Sequence, residues 1–143
     1  MNTGDSRLIL FTVAGKSYAL PADAVSEILP MARLTHPPGL RSEMEGLLAL
    51  DGRTIPVFDL ARLLAGEATR IGLYTPLLIL QSIEPVGLIV ERVREMAVVS
   101  DDAMLPIPSG QTRDDRTVAE FHIDGEPVHV LDLDKLVELG AVR

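Results

Sequence analysis

The sequence predicts a mostly β protein built from a duplicated unit, and two matches within the chain support this prediction. Residues 51–64 read DGRTIPVFDLARLL and residues 124–137 read DGEPVHVLDLDKLV, with six identities in 14 positions. A weaker match relates residues 18–29 to residues 86–97. The matches recur in the same order along the chain, which indicates internal duplication rather than chance repetition of a strand–turn–helix pattern. The predicted subdomains cover residues 8–66 and 76–138, joined by a polar link at about 67–75.

The first copy is predicted to contain two hairpins and a short helix. Gly15 supplies the turn of the first hairpin, and Asp51-Gly52 forms a two-residue turn whose positive φ angles suit Asp and Gly. Asp59 is expected to cap a helix at 60–65, and Gly66 to end it. The predicted strands of this copy cover residues 8–13, 17–21, 47–50 and 54–58. Asp23 to Leu29 fits either a helical turn or a strand, and the proline-rich stretch 30–45 is predicted to be a loop.

The second copy is predicted to repeat this plan around an Asp124-Gly125 turn. Asp132 or Asp134 is expected to cap a terminal helix that Gly140 ends. The stretch 100–117 is too polar and broken for regular structure. The predicted strands of this copy cover residues 77–82, 86–93, 95–99, 118–123 and 126–131.

The two Asp-Gly turns also predict which side chains face the core, because neighbouring residues in a strand point to opposite faces. The predicted core face carries Leu48, Leu50, Ile55 and Val57 in the first copy, and Phe121, Ile123, Val128 and Val130 in the second. The opposite face carries Glu120, His122 and His129 in the second copy, but Leu47, Ala49, Thr54 and Pro56 in the first. This apolar outer face is either a partner-contact surface or a surface that a loop covers.

The composition excludes several functional classes. The net charge of −8 and the pI of about 4.8 disfavour a nucleic-acid partner, since such binding rests on Lys and Arg. The absence of cysteine rules out disulfides and thiolate metal sites. The N-terminus lacks the pattern of a signal peptide, and the longest apolar runs are shorter than the ~18–20 residues of a membrane span. A cytoplasmic protein without direct membrane insertion is expected.

No catalytic or cofactor-binding pattern is found in the sequence. The G-x-S-x-G, G-x-x-x-x-G-K-[ST] and G-x-G-x-x-G motifs do not occur. The acids Asp51, Asp59, Asp124 and Asp132 are explained as turn and cap residues. Glu120, His122 and His129 share a strand face but are a weaker fit to a metal site than to a surface pair. We therefore expect no catalytic residue, no metal and no cofactor.

Three segments of the chain resemble a known protein family. The segments YALPADAVSEI at 18–28, GRTIPVFDLARLL at 52–64 and VGLIVERV at 86–93 resemble the CheW-like chemotaxis coupling domain. The resemblance spans about residues 8–138 and makes residues 1–143 a single domain. It implies two five-stranded SH3-like β-barrels around a shared core, with short helices. It also implies a non-catalytic scaffold adaptor that joins the cytoplasmic tip of a chemoreceptor to the regulatory domain of a CheA-type histidine kinase.

The resemblance further implies a receptor-binding groove between the barrels, although the kinase contacts cannot be assigned to residues. The matching positions are Val25, Glu27, Ile28, Gly46, Leu48, Val86 and Leu88, to which the outward-facing Leu47 and the turn residue Asp51 are added as candidate partner contacts. Family members commonly carry Asn-Leu-Arg-Gly before the Ile-Pro-Val run, whereas this chain has Ala49-Leu50-Asp51-Gly52. The charge at this position is reversed, which indicates a divergent member whose receptor differs from the usual one.

Two functional hypotheses follow from the sequence. The first is the scaffold adaptor, acting in chemotaxis or a related chemosensory pathway and recruited to receptor arrays at the membrane. The second is a small-molecule-binding or catalytic β-barrel domain with its ligand in the seam between the two barrels.

Overall fold

The computed structural model of the protein describes residues 4–108 and 116–141. The described strands are β1 Asp5–Val13, β2 Lys16–Pro21, β3 Val25–Pro30, β4 Met44–Leu50, β5 Arg53–Asp59, β6 Pro76–Leu80, β7 Gly87–Ile89, β8 Arg92–Ser100, β9 Leu105–Pro106, β10 Thr117–Ile123 and β11 Glu126–Leu131. The described helices are α1 Leu60–Ala65 and α2 Leu133–Glu138, with 3-10 helices at Ala22–Ala24, Asp101–Ala103 and Leu139–Ala141.

The strands form two sheets, which confirms the predicted fold class. Sheet A has the order β8-β1-β2-β11-β10-β9, and sheet B has the order β3-β6-β7-β5-β4. Apart from the two-residue β9, each sheet has five strands, as two SH3-like units require.

The two sheets have the same strand order once the repeats are matched. The first five strands correspond in order to β6, β7, β8, β10 and β11, so that β3-β6-β7-β5-β4 repeats β8-β1-β2-β11-β10. The parallel pairs also match, since Val57 lies opposite Gly87 and Val130 lies opposite Ala19. The duplication predicted from sequence is therefore visible in the register of the strands.

The sheets do not coincide with the predicted subdomains at 8–66 and 76–138. Sheet A takes β1 and β2 from the first repeat and the rest from the second, whereas sheet B takes β6 and β7 from the second repeat and the rest from the first. Each repeat thus gives its first two strands to the sheet that the other repeat completes. The exchanged strands pair with the other repeat in parallel, β2 with β11 and β5 with β7, and in antiparallel, β1 with β8 and β3 with β6.

The core explains why the exchange is stable. In β1, Leu8 and Leu10 pack inside sheet A, whereas Ile9, Phe11 and Val13 pack into a cluster shared by both sheets. Strand β6 does the same for sheet B, with alternate residues in the inner cluster and in the shared cluster. Strands buried on both faces read as continuous apolar runs, which accounts for LILF and LLIL in the sequence.

The hairpin turns and their registers agree with the predictions. Asp51 and Gly52 have φ of 50° and 76°, and Asp124 and Gly125 have φ of 52° and 79°. These values are those of type I′ turns. The predicted pairings of the two hairpins are observed, including Leu48 with Ile55 and Phe121 with Val128.

Three local predictions need correction. The segment Asp23 to Leu29 was predicted to be a helical turn or a strand, and it contains both, the end of a 3-10 helix followed by β3. Gly140 does not end α2, because it lies within a following 3-10 helix where a Cβ atom would come within 2.9 Å of Val86. The stretch 100–117 contains a 3-10 helix and β9, while residues 109–115 lie outside the described part.

Candidate partner-binding surface

A groove in sheet B brings together two of the residues predicted to contact a partner. It has a volume of about 200 Å³ and lies where β3 and β6 approach the β4–β5 turn. The predicted residues Glu27 and Asp51 line it, although they are far apart in sequence. Ile28, the residue after Glu27 in β3, is 47% exposed. The other residues that line the groove include Ser26, Leu50, Arg53, Gln81, Ser82 and Pro85.

Two carboxylates and one guanidinium line this groove, so the carboxylates outnumber the cation. Glu27 and Asp51 are both exposed, and no hydrogen-bond or ion-pair partner for either is found among residues 4–108 and 116–141. The guanidinium of Arg53, which also lines the groove, donates to the main-chain carbonyl of Ile83. The positive charge of Arg53 is thus held by a neutral acceptor, and both carboxylates are left available to a cation from outside.

Four of the predicted contact residues are buried instead. Val86 and Leu88 have no exposed surface and belong to the shared cluster between the sheets, and Leu48 is 4% exposed in the core of sheet B. Gly46 is buried with a φ of 157°, and a Cβ atom there would lie 2.7 Å from the Cβ atom of Leu34. These residues shape the core and the path of the loop before β4, and direct partner contact through them is not available in this structure.

Val25 and Leu47, two further predicted contact residues, are neither fully buried nor fully exposed. Val25 is half-buried against the shared cluster. Leu47 points to the outer face, as the register predicted, but its backbone pairs with Thr35 through two hydrogen bonds of 2.9 Å. This bridge covers the edge of β4, which would otherwise be open to pairing with another chain.

The apolar outer face predicted for the first copy is divided. Ala49 and Thr54 are exposed, whereas Pro56 is half-buried beside Gly140. A covering segment accounts for the part of this face at Leu47 and Pro56, and partner contact through the exposed part stays a prediction.

Arg41, in the loop before β4, contacts both the C-terminal 3-10 helix and β5, and this role was not predicted from the sequence. Its guanidinium donates to the Leu139 carbonyl at 2.9 Å and to the Glu43 carboxylate at 2.8 Å, and it lies 5.7 Å from the centre of the Phe58 ring. The hydrogen bond from Arg41 lowers the pKa of the Glu43 carboxyl below its usual value. A single Arg within a proline-rich stretch gives no sequence signal for such a role.

At the place in sheet A that corresponds to the groove of sheet B, an ion pair is found. There, Arg94 donates from Nη1 to Ser17 Oγ at 2.8 Å and to Glu126 Oε1 at 2.9 Å. These three side chains connect β8, β2 and β11. The two sheets therefore differ at this point, since one is closed by its own Arg and the other has a groove.

The residues considered for metal binding form a surface cluster. His122 Nε2 and His129 Nε2 each lie 3.5 Å from a different oxygen of Glu120. Within the part of the chain that the structure describes, no group of three or more His, Asp or Glu side chains has the geometry of a metal site. The arrangement suits a carboxylate shared by two imidazoles.

Other exposed features were not foreseen from sequence. The turn before β6 exposes Leu73 and Tyr74 at 82% and 88% of their surfaces, and Ile83 is 92% exposed. Met96 and Met104, which showed no common pattern in the sequence, line one cavity of about 760 Å³ beside β1. A helix long and apolar enough to cross a membrane is not found among the described helices.

The protein is thus a duplicated β domain. Those predicted partner contacts that are exposed lie at a small, charged groove. A model of the CheW-like domain family matches residues 7–140. The chain is 27% identical over 139 residues to a probable chemotaxis protein CheW from Rhizobium etli, which covers 95% of this chain and 90% of that protein. It is 30% identical over 116 residues to the chemotaxis protein CheW of Bacillus subtilis, which covers 80% of this chain and 73% of that protein.

A solved structure shares the fold. The scaffolding protein TtCheW from Thermoanaerobacter tengcongensis superposes with a TM-score of 0.79 at 24% identity, covering 90% of this chain and 89% of that one. The chain therefore belongs to the CheW-like domain family, whose matched relatives are chemotaxis proteins, and the resemblance stated from sequence is confirmed.

Proposed function

We propose that this protein is a non-catalytic scaffold that couples a chemoreceptor, or a receptor-like sensor, to a CheA-type histidine kinase. The observation that carries the proposal is the exposure of Glu27, Ile28 and Asp51 beside one groove, in a chain that belongs to the CheW-like family. Two of these positions match the family's receptor contacts, and Asp51 stands where the family commonly has Arg. The receptor tip is proposed to meet this surface, and the kinase regulatory domain to bind elsewhere on the sheets.

The packing between the sheets favours an adaptor over a seam-bound ligand. The shared cluster places buried side chains such as Phe11, Phe58 and Leu88 between sheets A and B. A small molecule in that seam would have to displace them. A protein partner instead needs only the exposed surface, so the second hypothesis is not supported by the core. The scaffold is proposed to act in the cytoplasm, at receptor arrays.

The proposal is tested by assembling the complex from purified components. The protein, the CheA-type kinase and the cytoplasmic fragment of a receptor from the same genome are mixed and analysed by sedimentation velocity. We expect a ternary complex that disappears when this protein is left out. If the protein binds neither the kinase nor the receptor fragment, the proposal is wrong.

A pair of matched variants locates the receptor surface. Ile28 in β3 and Met96 in β8 are equivalent positions of the two repeats and are similarly exposed, at 47% and 55%. Ile28→Asp is expected to weaken receptor binding about tenfold or more, because a charge would replace an apolar contact at the centre of the interface. Met96→Asp should leave receptor binding unchanged. Equal losses in both variants would contradict the assigned surface.

A further inference from the structure

The groove beside Glu27 exists because the two repeats differ at one bulge. Where β3 pairs with β6, the register shifts between Val25 and Glu27, so that Ser26 is the extra residue. Where β8 pairs with β1, Arg94 lies between the paired residues Val93 and Glu95 at the equivalent shift. A bulge re-aims the side chain of its extra residue. The same backbone irregularity therefore carries a long cation in one sheet and a short hydroxyl in the other.

The contacts of these two residues show what each bulge does. Arg94 reaches across sheet A to Ser17 and Glu126, at 2.8 and 2.9 Å. Ser26 donates to the main-chain carbonyl of Ile79 at 3.2 Å and extends no further. The space that a guanidinium would occupy is left as part of the groove of about 200 Å³.

The groove has no side chain in the place of Arg94, although Arg53 lines it, and it keeps acceptors for an incoming cation. The positions equivalent to Ser17 and Glu126 are Pro85 and Arg53, and both line the groove. Arg53 donates to the Ile83 carbonyl, while Glu27 and Asp51 have no partner among the described residues. A planar guanidinium can donate to two carboxylates at once, whereas an ammonium acts as a point charge.

We propose that this groove binds an arginine side chain presented by the receptor tip, in the place that Arg94 occupies in sheet A. The inference rests on the proposed function and names the chemistry of its receptor site. It also gives a reason for Asp51, because a carboxylate at this turn suits a basic receptor surface and repels an acidic one.

The first test fills the groove from within the protein. The double variant Ser26→Arg/Arg53→Glu transfers the Arg94–Glu126 pair of sheet A to the equivalent positions of sheet B. We expect it to fold, and to weaken receptor binding about tenfold or more by occupying the space of the incoming side chain, while kinase binding stays at the wild-type value. A folded double variant with wild-type receptor affinity would overturn the inference.

Charge variants provide a second test that does not depend on the double variant folding. Glu27→Gln and Asp51→Asn keep the size of the side chains, and each is expected to weaken receptor binding about 3- to 10-fold. They should also reduce the loss of affinity between about 0.05 and 0.3 M NaCl, since exposed charges are screened by salt. Asp124→Asn, at the equivalent turn of sheet A, is the matched control. Receptor binding of the wild-type protein that does not respond to salt would overturn the inference.

A small probe separates failure of this inference from failure of the proposed function. The 15N-labelled protein is titrated with N-acetyl-arginine amide and with its neutral analogue N-acetyl-citrulline amide. We expect amide shifts near Ser26, Glu27 and Asp51 with the arginine probe only. If no receptor binds but these shifts are seen, the scaffold proposal falls and the groove assignment stands. If the two probes give the same result, the groove assignment falls.

Discussion

Asp59 and Asp132 occupy equivalent places in the two repeats, yet their surroundings predict different costs for removing their carboxylates. Asp59 is 1% exposed and accepts hydrogen bonds from Ala61 N at 3.1 Å, Thr69 N at 2.7 Å and Thr69 Oγ1 at 2.6 Å. Asp132 is half-buried and accepts from the backbone amides of Asp134 and Lys135 at 3.1 and 3.4 Å. One carboxylate fixes a helix and the following link, whereas the other caps a helix.

The structure allows the two costs to be compared. Asp59→Ala removes three hydrogen bonds to a charged acceptor, each contributing about 1.5–3 kcal/mol, and leaves the buried Ala61 amide and the two half-buried Thr69 donors without this acceptor. The variant also no longer buries a carboxylate, which offsets part of this loss. We expect the free energy of unfolding to fall by about 3–5 kcal/mol. Asp132→Ala should cost about 1 kcal/mol, as for other helix caps.

Urea unfolding followed by circular dichroism measures both values, and the chain has no Trp to serve as a fluorescence probe. Thr69→Val is the intermediate case, because it removes the hydroxyl bond but keeps the amide, and should cost about 1–2 kcal/mol. If Asp59→Ala and Asp132→Ala differ by less than about 0.5 kcal/mol, the reasoning from burial is refuted, since surface changes alone vary by that much.

Three further predictions concern turns and faces. Ala14 has a φ of 51°, at a turn position where the other two hairpins have Asp. Ala14→Asn should therefore raise the free energy of unfolding by about 0.5–1 kcal/mol. A lower free energy of unfolding in urea would contradict this. Gly52→Val and Gly125→Val should each lower it by about 1–3 kcal/mol, and unchanged urea midpoints would exclude the strained-turn explanation. Leu48→Ala should lower it by about 2–5 kcal/mol and Leu47→Ala by less, whereas the reverse order in the same assay would mean a shifted register.

The hairpins could be predicted because their signals are local. An Asp-Gly pair determines both positive φ angles of a type I′ turn, and the turn then determines the register of the strands on either side. The inward face of Leu48 and the outward face of Leu47 follow directly from that register and are observed. The cap bond from the Ala61 amide to Asp59 and the left-handed Gly66 are local in the same sense, since each acts within one helical turn.

The exchange of strands between repeats could not be predicted in this way. It depends on the parallel pairs β2–β11 and β5–β7 and on the antiparallel pairs β1–β8 and β3–β6, all of which join residues far apart in sequence. The repeat pattern is the same whether a strand pairs within its own copy or with the other one. The polar link at 67–75 separates the two copies in sequence, but both sheets contain strands from both sides of it.

The candidate site was only partly predictable for a related reason. Family positions transfer to this sequence by motif, but a motif does not state how much of each side chain is exposed. Leu88 lies in β7, which is buried along its length, and the buried Val86 directly precedes this strand, so both support the surface without reaching it. Ser26 carries no motif, and its importance becomes visible only when its bulge is compared with that of Arg94.

The duplication explains how one scaffold can offer two different surfaces. The repeats share strand order, turn type and helix caps, so these features serve the fold and are kept in both copies. The proposed function requires that the copies differ, because a partner must distinguish one sheet from the other. One difference between the copies lies in side chains at equivalent backbone positions, with Arg94 and Glu126 closing sheet A where Ser26 and Arg53 leave sheet B open. Since the backbone is already determined by the repeat, a few such changes can create a site without altering the fold that holds it.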